Sequence, residues 1–174
     1  MIGRPEISEA APYYFNYINQ VTGNDPLTSI EKQLKDSLGF FGSISEEKSL
    51  YRYAPEKWSI RQVLNHVTDT ERAFAFRSLW FGRGFDAPLP SYDQDIASAA
   101  ADADKVSWAG HIEEFERVRL ATISLFKNLP SHAWNQTGIA SDNRFTVRAL
   151  AFIIAGHVTH HTRIVRERYL HPEI

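Results

Sequence analysis

Hydrophobic residues recur at intervals of three and four along four separate stretches of the chain, which is the spacing of one face of an α-helix. In the first stretch these residues are Leu27, Ile30, Leu34, Leu38 and Phe41. Asp25 precedes this stretch as a cap residue, and Pro26 suits the first helical position. Gly42 and Ser43 follow it. The pattern therefore predicts a helix that begins near Asp25 and ends near Gly42.

The second stretch begins at Ser59, with Gln62 three residues later, an arrangement typical of a capping box. Its inward positions are Val63, His66, Thr70, Ala73 and Arg77. The residues that interrupt helix formation after it are Gly82, Gly84, Pro88 and Pro90. We expect residues 91–107, rich in Asp, Ala and Ser, to form a loop.

The same spacing of three and four residues between apolar positions predicts two further helices. The third has inward positions at Trp108, Ile112, Phe115, Arg119, Thr122, Phe126 and Leu129, and Pro130 stops it. The fourth begins near Thr146, with inward positions at Leu150, Ile154, His157, His161, Ile164 and Arg168. An aromatic segment at residues 13–17 predicts an extra N-terminal helix, whereas residues 134–145 are compatible with an irregular turn or a short hairpin.

These patterns together predict an all-α protein, a four-helix bundle with an extra N-terminal helical segment. The chain has 174 residues, which suits one domain spanning 1–174. Apolar runs such as residues 152–154 lie inside a longer helical period, so the helix interpretation is favoured over a strand.

Charge and composition narrow the functional class. The formal net charge is −2, and no basic block suggests a nucleic-acid partner. No stretch approaches the ~20 consecutive apolar residues that a membrane helix needs. The first residues lack the features of a signal peptide, so we expect a cytoplasmic protein. With no cysteine in the chain, disulfides, thiolate metal ligands and a cysteine nucleophile are excluded.

The positions of three histidines suggest the chemistry. His157 and His161 are four residues apart, so they lie one helical turn apart on the same face. On another helix, His66 also occupies an inward position. An unsatisfied buried polar group costs about 1–3 kcal/mol, and three in one core need a shared explanation. A divalent metal held by three neutral imidazoles supplies one.

Neutral imidazoles suit several divalent metals, among which we expect zinc, with nickel or iron as alternatives, and three protein ligands leave a position open for water or substrate. Oxygen-rich ligands are lacking, which disfavours magnesium and calcium. The alternative from the residues alone is that the three histidines are ordinary core residues that hydrogen-bond one another through water.

Other residues near this set have several candidate roles. His160 could replace a ligand, face a neighbouring helix, or line a pocket or orient a ligand, which is the role we favour. Asp69 and Glu71 are candidates to accept a hydrogen bond from His66, and Arg77 is a candidate to contact an anionic substrate. No catalytic residue is assigned. The remaining histidines are expected on the surface: His111, His132 and His171.

Four blocks of sequence together resemble the DinB/YfiT-like superfamily of proposed metalloenzymes. They are YAPEKWSI at 53–60, LNHVTDTER at 64–72, AGHVTHH at 155–161 and RERY at 166–169. The resemblance implies an up-down-down-up four-helix bundle that frequently forms homodimers. It also implies a metal triad of one histidine on the second helix and a His-x3-His pair on the fourth, here His66, His157 and His161.

The same resemblance implies a small-molecule substrate. Some relatives are similar to S-transferases that use bacillithiol or mycothiol, and a related branch isomerises maleylpyruvate with a thiol cofactor. We therefore expect a metal-dependent enzyme, first of all an S-transferase for a low-molecular-weight thiol. The alternatives are a metal-dependent hydrolase and a non-catalytic binding or interaction module with a structural metal.

Overall fold

Six helices and one hairpin account for most of the protein, whose computed structural model describes residues 2–170. In chain order the helices are α1 (Phe15–Ile18), α2 (Pro26–Gly42), α3 (Ile60–Gly82), α4 (Gln94–Ala100), α5 (Trp108–Lys127) and α6 (Val147–Ile164). The strands β1 (Thr137–Ala140) and β2 (Asn143–Thr146) pair antiparallel. A π-helical segment, Val165–Leu170, continues α6. Short 3-10 turns lie at Ile7–Glu9, Pro12–Tyr14, Lys48–Leu50, Ala103–Lys105 and Ser131–Asn135.

Side-chain caps fix where the long helices begin. The Asp25 side chain accepts the backbone N–H of Thr28 at the start of α2. At the start of α3, Ser59 and Gln62 form the reciprocal capping box that the sequence predicted. At the start of α6, the Thr146 hydroxyl accepts the backbone N–H of Ala149. These caps satisfy backbone N–H groups that have no partner inside the helix.

One expectation about local structure was wrong, and one pair of alternatives is decided. Residues 91–107 are not wholly loop, because Asp93 accepts the backbone N–H groups of Asp95 and Ile96 and so begins α4. The alanines after it favour helix. Because this helix is short and mostly exposed, its residues lack the apolar periodicity of the longer helices. Of the two alternatives at residues 134–145, the structure contains the hairpin, with Gly138 opposite Phe145.

Contacts between helix ends establish the helix directions. The Trp108 indole, at the start of α5, donates to the carbonyl of Phe41 at the end of α2, at 3.0 Å. These two helices are therefore antiparallel. Arg61, in the first turn of α3, donates to the carbonyl of Val106 just before α5, at 2.6 Å. The helices α3 and α5 are therefore parallel.

The last helix completes the topology. Tyr169, just beyond α6, donates from its hydroxyl to the carbonyl of Trp58 before α3, at 2.9 Å. Hence α6 runs antiparallel to α3, and the order α2, α3, α5, α6 is up-down-down-up. The predicted bundle is confirmed, with the small hairpin as an addition. Among residues 2–170, the structure has no helix that combines the length and the apolar character needed to cross a membrane.

The helix α6 lies at the centre of the molecule. Apart from Arg148, every residue from Val147 to Val158 is buried. Bundle helices α2 and α3 cover part of its surface, and the N-terminal helix α1 packs on the remainder. This enclosure explains why the first three turns of α6 are apolar almost all round. It also means that a polar residue in the next turns has few routes to water.

Candidate metal centre

Two helices bring three imidazole rings to one point. His66 lies in the second turn of α3, and His157 and His161 lie in successive turns of α6. The Nε2 atoms of His66 and His157 are 3.1 Å apart, and those of His157 and His161 are 3.0 Å apart. Because α3 and α6 are antiparallel neighbours, this convergence follows directly from the bundle. The structure thus brings together the three residues that the sequence singled out.

Burial keeps these rings neutral. His66 is 6% exposed and His157 is 5% exposed. Burial lowers the pKa of His66 to about 4 and, together with the charge of His66, lowers the pKa of His161 to about 3. The pKa of His157 is also well below its ordinary value, first because of burial. At neutral pH each ring therefore offers a lone pair.

The spacing of the rings fits a cation. Three nitrogens bound tetrahedrally at 2.0–2.1 Å would lie about 3.3 Å from one another, close to the separations in the structure. A neutral imidazole nitrogen either donates or accepts, so the Nε2 atom of His157 cannot satisfy both facing nitrogens equally well. A single ion would satisfy all three at once. Within residues 2–170 this is the group of ligand-type side chains that could hold a metal.

Neighbouring side chains orient the rings. The Thr70 hydroxyl lies 3.3 Å from Nδ1 of His66, one turn further along α3. The Trp58 and His66 ring centres are 5.0 Å apart, and the Tyr17 ring meets the His157 ring edge-on at 5.2 Å. If a metal bound Nε2, Nδ1 of His66 would carry the proton and donate to the Thr70 hydroxyl. The four-residue spacing from His66 to Thr70 could have suggested this role, which we did not predict.

His160 lies outside the converging set. Its Nδ1 is 3.3 Å from Nε2 of Gln20, and its ring packs edge-on against Tyr17 and His161 at 5.3 Å and 5.0 Å. Tyr17 of α1 therefore contacts both His160 and His157, a member of the triad. His160 lines a separate cavity with Gln20 and Tyr17, which is compatible with the pocket role we favoured.

The proposed carboxylate partners of His66 have other partners. Asp69 pairs with Arg72 at 3.0 Å, and Glu71 is buried against Arg119 at 2.8 Å. Among the hydrogen bonds of residues 2–170, none joins Asp69 or Glu71 to a histidine ring. The expectation was wrong because residues 69 and 71 lie on other faces of α3 than residue 66, whereas residue 70 returns to the same face.

Glu71 instead belongs to a polar network that links all four bundle helices. Its partner Arg119, on α5, donates to Oε1 of Gln33 at 3.3 Å. Gln33, on α2, donates to the carbonyl of Ala155 at 2.8 Å and to the hydroxyl of Thr159 at 2.7 Å, both on α6. This network lies beside the triad and fixes the relative positions of the helices that carry it.

We expect Arg119→Met to lower the free energy of unfolding by about 3–5 kcal/mol, because it leaves the Glu71 carboxylate buried without a partner. The double variant Glu71→Leu with Arg119→Met should recover a large part of that loss, since it removes both charges. Urea denaturation of the two single variants and the double variant measures this coupling. If the losses of unfolding free energy in the two single variants simply add in the double variant, the proposed pairing of Glu71 with Arg119 is contradicted.

Two cavities reach the triad from different sides. One, of about 120 Å³, is lined by His66, His157, Thr70 and Arg77, with tyrosine rings around them. Another, of about 290 Å³, reaches His161. Arg77 is only 5% exposed, and its Nη2 donates to the carbonyl of Pro90 and to the hydroxyl of Ser141. The structure places Arg77 in the wall of the first cavity.

The remaining histidines are not alike. His111 was expected on the surface but is 2% exposed, with Nε2 2.8 Å from the carbonyl of Ala103. The 3-10 turn Ala103–Lys105 covers it, and helical periodicity cannot reveal such a cover. His132 is exposed, as expected, and His171 lies outside the described residues. Neither His111 nor His132 is near enough to join the triad.

The lowered histidine pKa values predict an acid-sensitive metal-free protein. Between pH 6.5 and pH 5 the unfolded chain binds protons on these histidines, whereas the folded triad does not. The free energy of unfolding should therefore fall as pH decreases, by at most about 1.4 kcal/mol per pH unit for each histidine. Urea denaturation at pH 7, 6 and 5 would measure it. The variant His161→Gln should show a shallower dependence, and equal slopes would contradict the prediction.

Most of the chain matches a known protein family. A family model described as the DinB superfamily matches residues 29–165. This range is well over half of the chain and contains all three converging histidines. The N-terminal segment with α1 lies before it. No curated protein matches the sequence.

Comparison with solved structures gives the same picture of the fold. The chain is similar to YfiT from Bacillus subtilis, with a TM-score of 0.68 and 16% sequence identity, over 94% of this chain and 89% of that one. YfiT is described as a probable metal-dependent hydrolase with an unusual four-helix bundle topology. At this level of identity the likeness establishes the fold alone.

Proposed function

The chain belongs to the DinB superfamily, and from that premise we propose that it is a metal-dependent enzyme whose reaction is hydrolysis. The observation that supports the proposal is the convergence of three neutral imidazoles at the edge of a cavity. A site with three protein ligands leaves a coordination position for water or substrate, whereas structural zinc sites are usually closed by a fourth protein ligand.

Zinc is the ion we propose, and nickel and iron are the alternatives. Imidazole nitrogen suits all three, and affinity alone does not choose between them. The ligands would be His66, His157 and His161. When bound, a divalent ion supplies Lewis acidity and lowers the pKa of a water or thiol at its open position.

The residues of the chain contribute orientation and shielding. With a metal on Nε2, the Thr70 hydroxyl would accept a hydrogen bond from Nδ1–H of His66 and so keep the Nε2 lone pair directed at the centre. The rings of Trp58 and Tyr17 pack against His66 and His157 and so limit the movement of the two imidazoles. Substrate would enter through the cavity that His66 and His157 line.

Hydrolysis is preferred over S-transfer for two reasons. Water needs no second binding site, and the similar protein YfiT is described as a probable metal-dependent hydrolase. The S-transferase alternative places a low-molecular-weight thiol at the same coordination position. It is supported by the absence of cysteine, which means that any thiolate must come from a ligand.

Metal analysis and activity assays test the proposal together. Protein prepared without a nickel column should contain about one equivalent of zinc per chain. Chelation should abolish hydrolysis across a panel of p-nitrophenyl esters and anilides, and added zinc should restore it. Conjugation of a thiol to monochlorobimane in place of hydrolysis would support the S-transferase.

A structural metal would behave differently. Its removal would take much of the thermal stability with it, whereas the proposed enzyme should remain folded but inactive. Circular dichroism before and after chelation distinguishes the two. Absence of bound metal under all of these conditions would refute the proposal.

A further inference from the structure

Arg77 is a buried cation without an anionic partner. The buried arginines of the described chain are Arg61, Arg77 and Arg119. Arg61 pairs with Glu46, and Arg119 pairs with Glu71. Within residues 2–170, Arg77 pairs with no carboxylate: it donates to neutral acceptors, and its guanidinium lies over the Phe74 ring, 5.3 Å from the centroid. A buried, uncompensated charge is unfavourable, so its presence here calls for a role.

The hydrogen bonds of Arg77 leave most of its donors free. Nη2 donates to the carbonyl of Pro90 at 3.2 Å and to the hydroxyl of Ser141 at 3.0 Å. These two bonds use both N–H groups of Nη2. A guanidinium has five N–H donors, so those on Nε and Nη1 remain without a partner among residues 2–170. The two acceptors come from different loops and hold the plane of the guanidinium in one orientation.

The free side of Arg77 shares a cavity with the triad. The same cavity of about 120 Å³ is lined by Arg77 at one end and by His66 and His157 at the other. Two tyrosine rings line the same cavity: Tyr17 lies against His157, and Tyr14 lies against Phe74, which is three residues before Arg77. A molecule that fills this cavity would therefore contact the Arg77 guanidinium, the tyrosine rings and the imidazoles of His66 and His157.

Helix geometry indicates the length of such a molecule. Arg77 follows His66 by eleven residues, close to three turns, so both lie on the same face of α3. The rise of 1.5 Å per residue separates their Cα atoms by about 16 Å. Long side chains on a helix lean toward its N-terminus, which brings the guanidinium closer to the triad. Several bonds must still separate the two points of contact.

We infer that Arg77 is the anion-binding residue of a substrate pocket, and that the substrate is an elongated organic carboxylate with an apolar or aromatic middle section. The carboxylate binds the free N–H groups of Arg77, and the opposite end of the molecule reaches His66 and His157. The assignment of the reacting end rests on the proposed function, whereas the carboxylate subsite does not.

Phenylacetate and its neutral amide, phenylacetamide, test the subsite because they differ only in charge and hydrogen-bonding pattern. Calorimetric titration of the metal-free protein should give at least about 10-fold tighter binding of phenylacetate. Arg77→Gln should abolish the preference, and Arg77→Lys should retain part of it. The matched control Arg83→Gln, on an exposed arginine at the end of α3, should keep all of it.

A second variant separates binding from support of the loops. Ser141→Gly removes the hydroxyl that Arg77 contacts, suits the positive φ at this position and leaves the charge in place. If Arg77 merely ties the loops together, Ser141→Gly and Arg77→Gln should alter binding equally. If Arg77 binds the anion, Ser141→Gly should preserve the preference for phenylacetate.

The outcomes distinguish this inference from the proposed function. A preference for phenylacetate only in the presence of zinc would place the anion on the metal and overturn the Arg77 subsite. Equal binding of acid and amide to the wild-type protein, or a preference that survives in Arg77→Gln, would also overturn it. Binding that depends on Arg77 in a protein that takes up no zinc would leave the subsite intact and refute the proposed function.

Discussion

Replacing His157 by alanine should weaken zinc binding by on the order of 100-fold or more, the largest effect expected from any ligand variant. Removal of a residue that only supports a ligand already costs about 10–100-fold. The Nε2 atom of His157 lies between those of His66 and His161, at 3.1 Å and 3.0 Å. The two remaining rings would form a much weaker site. Competition against a chromophoric chelator on metal-free protein measures the change.

The chain offers a matched control on the same helix. His160 lies three residues after His157 and next to His161, but its ring contacts Gln20 and Tyr17. His160→Ala should therefore change zinc affinity by less than about 10-fold. Comparable losses in His160→Ala and His157→Ala would show that the ligand set has been assigned wrongly.

The triad was accessible from the sequence because helical periodicity carries the necessary information. A separation of four residues puts His157 and His161 on one face, and the apolar residues around His66 fix which side of its helix faces inward. When the inward faces of α3 and α6 pack together, the three imidazole rings must lie close to one another. The same packing buries the rings, and burial lowers the pKa values of the histidines.

Other features depend on pairings between segments that periodicity does not encode. Glu71 pairs with Arg119 on another helix, and the spacing of residues within α3 does not reveal that partner. His111 is buried by a turn that precedes its own helix. The role of Arg77 depends on loops contributed by Pro90 and Ser141, far apart in sequence.

The close packing of α1 against α6 is a further feature that helical periodicity does not predict. Gly156 is a helix-interior glycine, which by propensity alone is a cost of roughly 1 kcal/mol relative to alanine. In the structure, a Cβ atom at this position would collide with the backbone carbonyl of Tyr17. The glycine permits the close approach of the two backbones, and this approach brings Tyr17 against His157.

We therefore expect Gly156→Ala to lower the free energy of unfolding by about 3 kcal/mol, the upper range for overpacked cores, because a backbone carbonyl cannot move aside as a side chain can. Gly39→Ala is the matched control: this helical glycine has open space at its Cβ, so alanine should stabilise by about 0.5–1 kcal/mol. Urea midpoints measure both changes, provided that the slopes agree. Stabilisation by both substitutions would mean that α1 does not pack on α6 as described, and Tyr17 would then no longer cover His157.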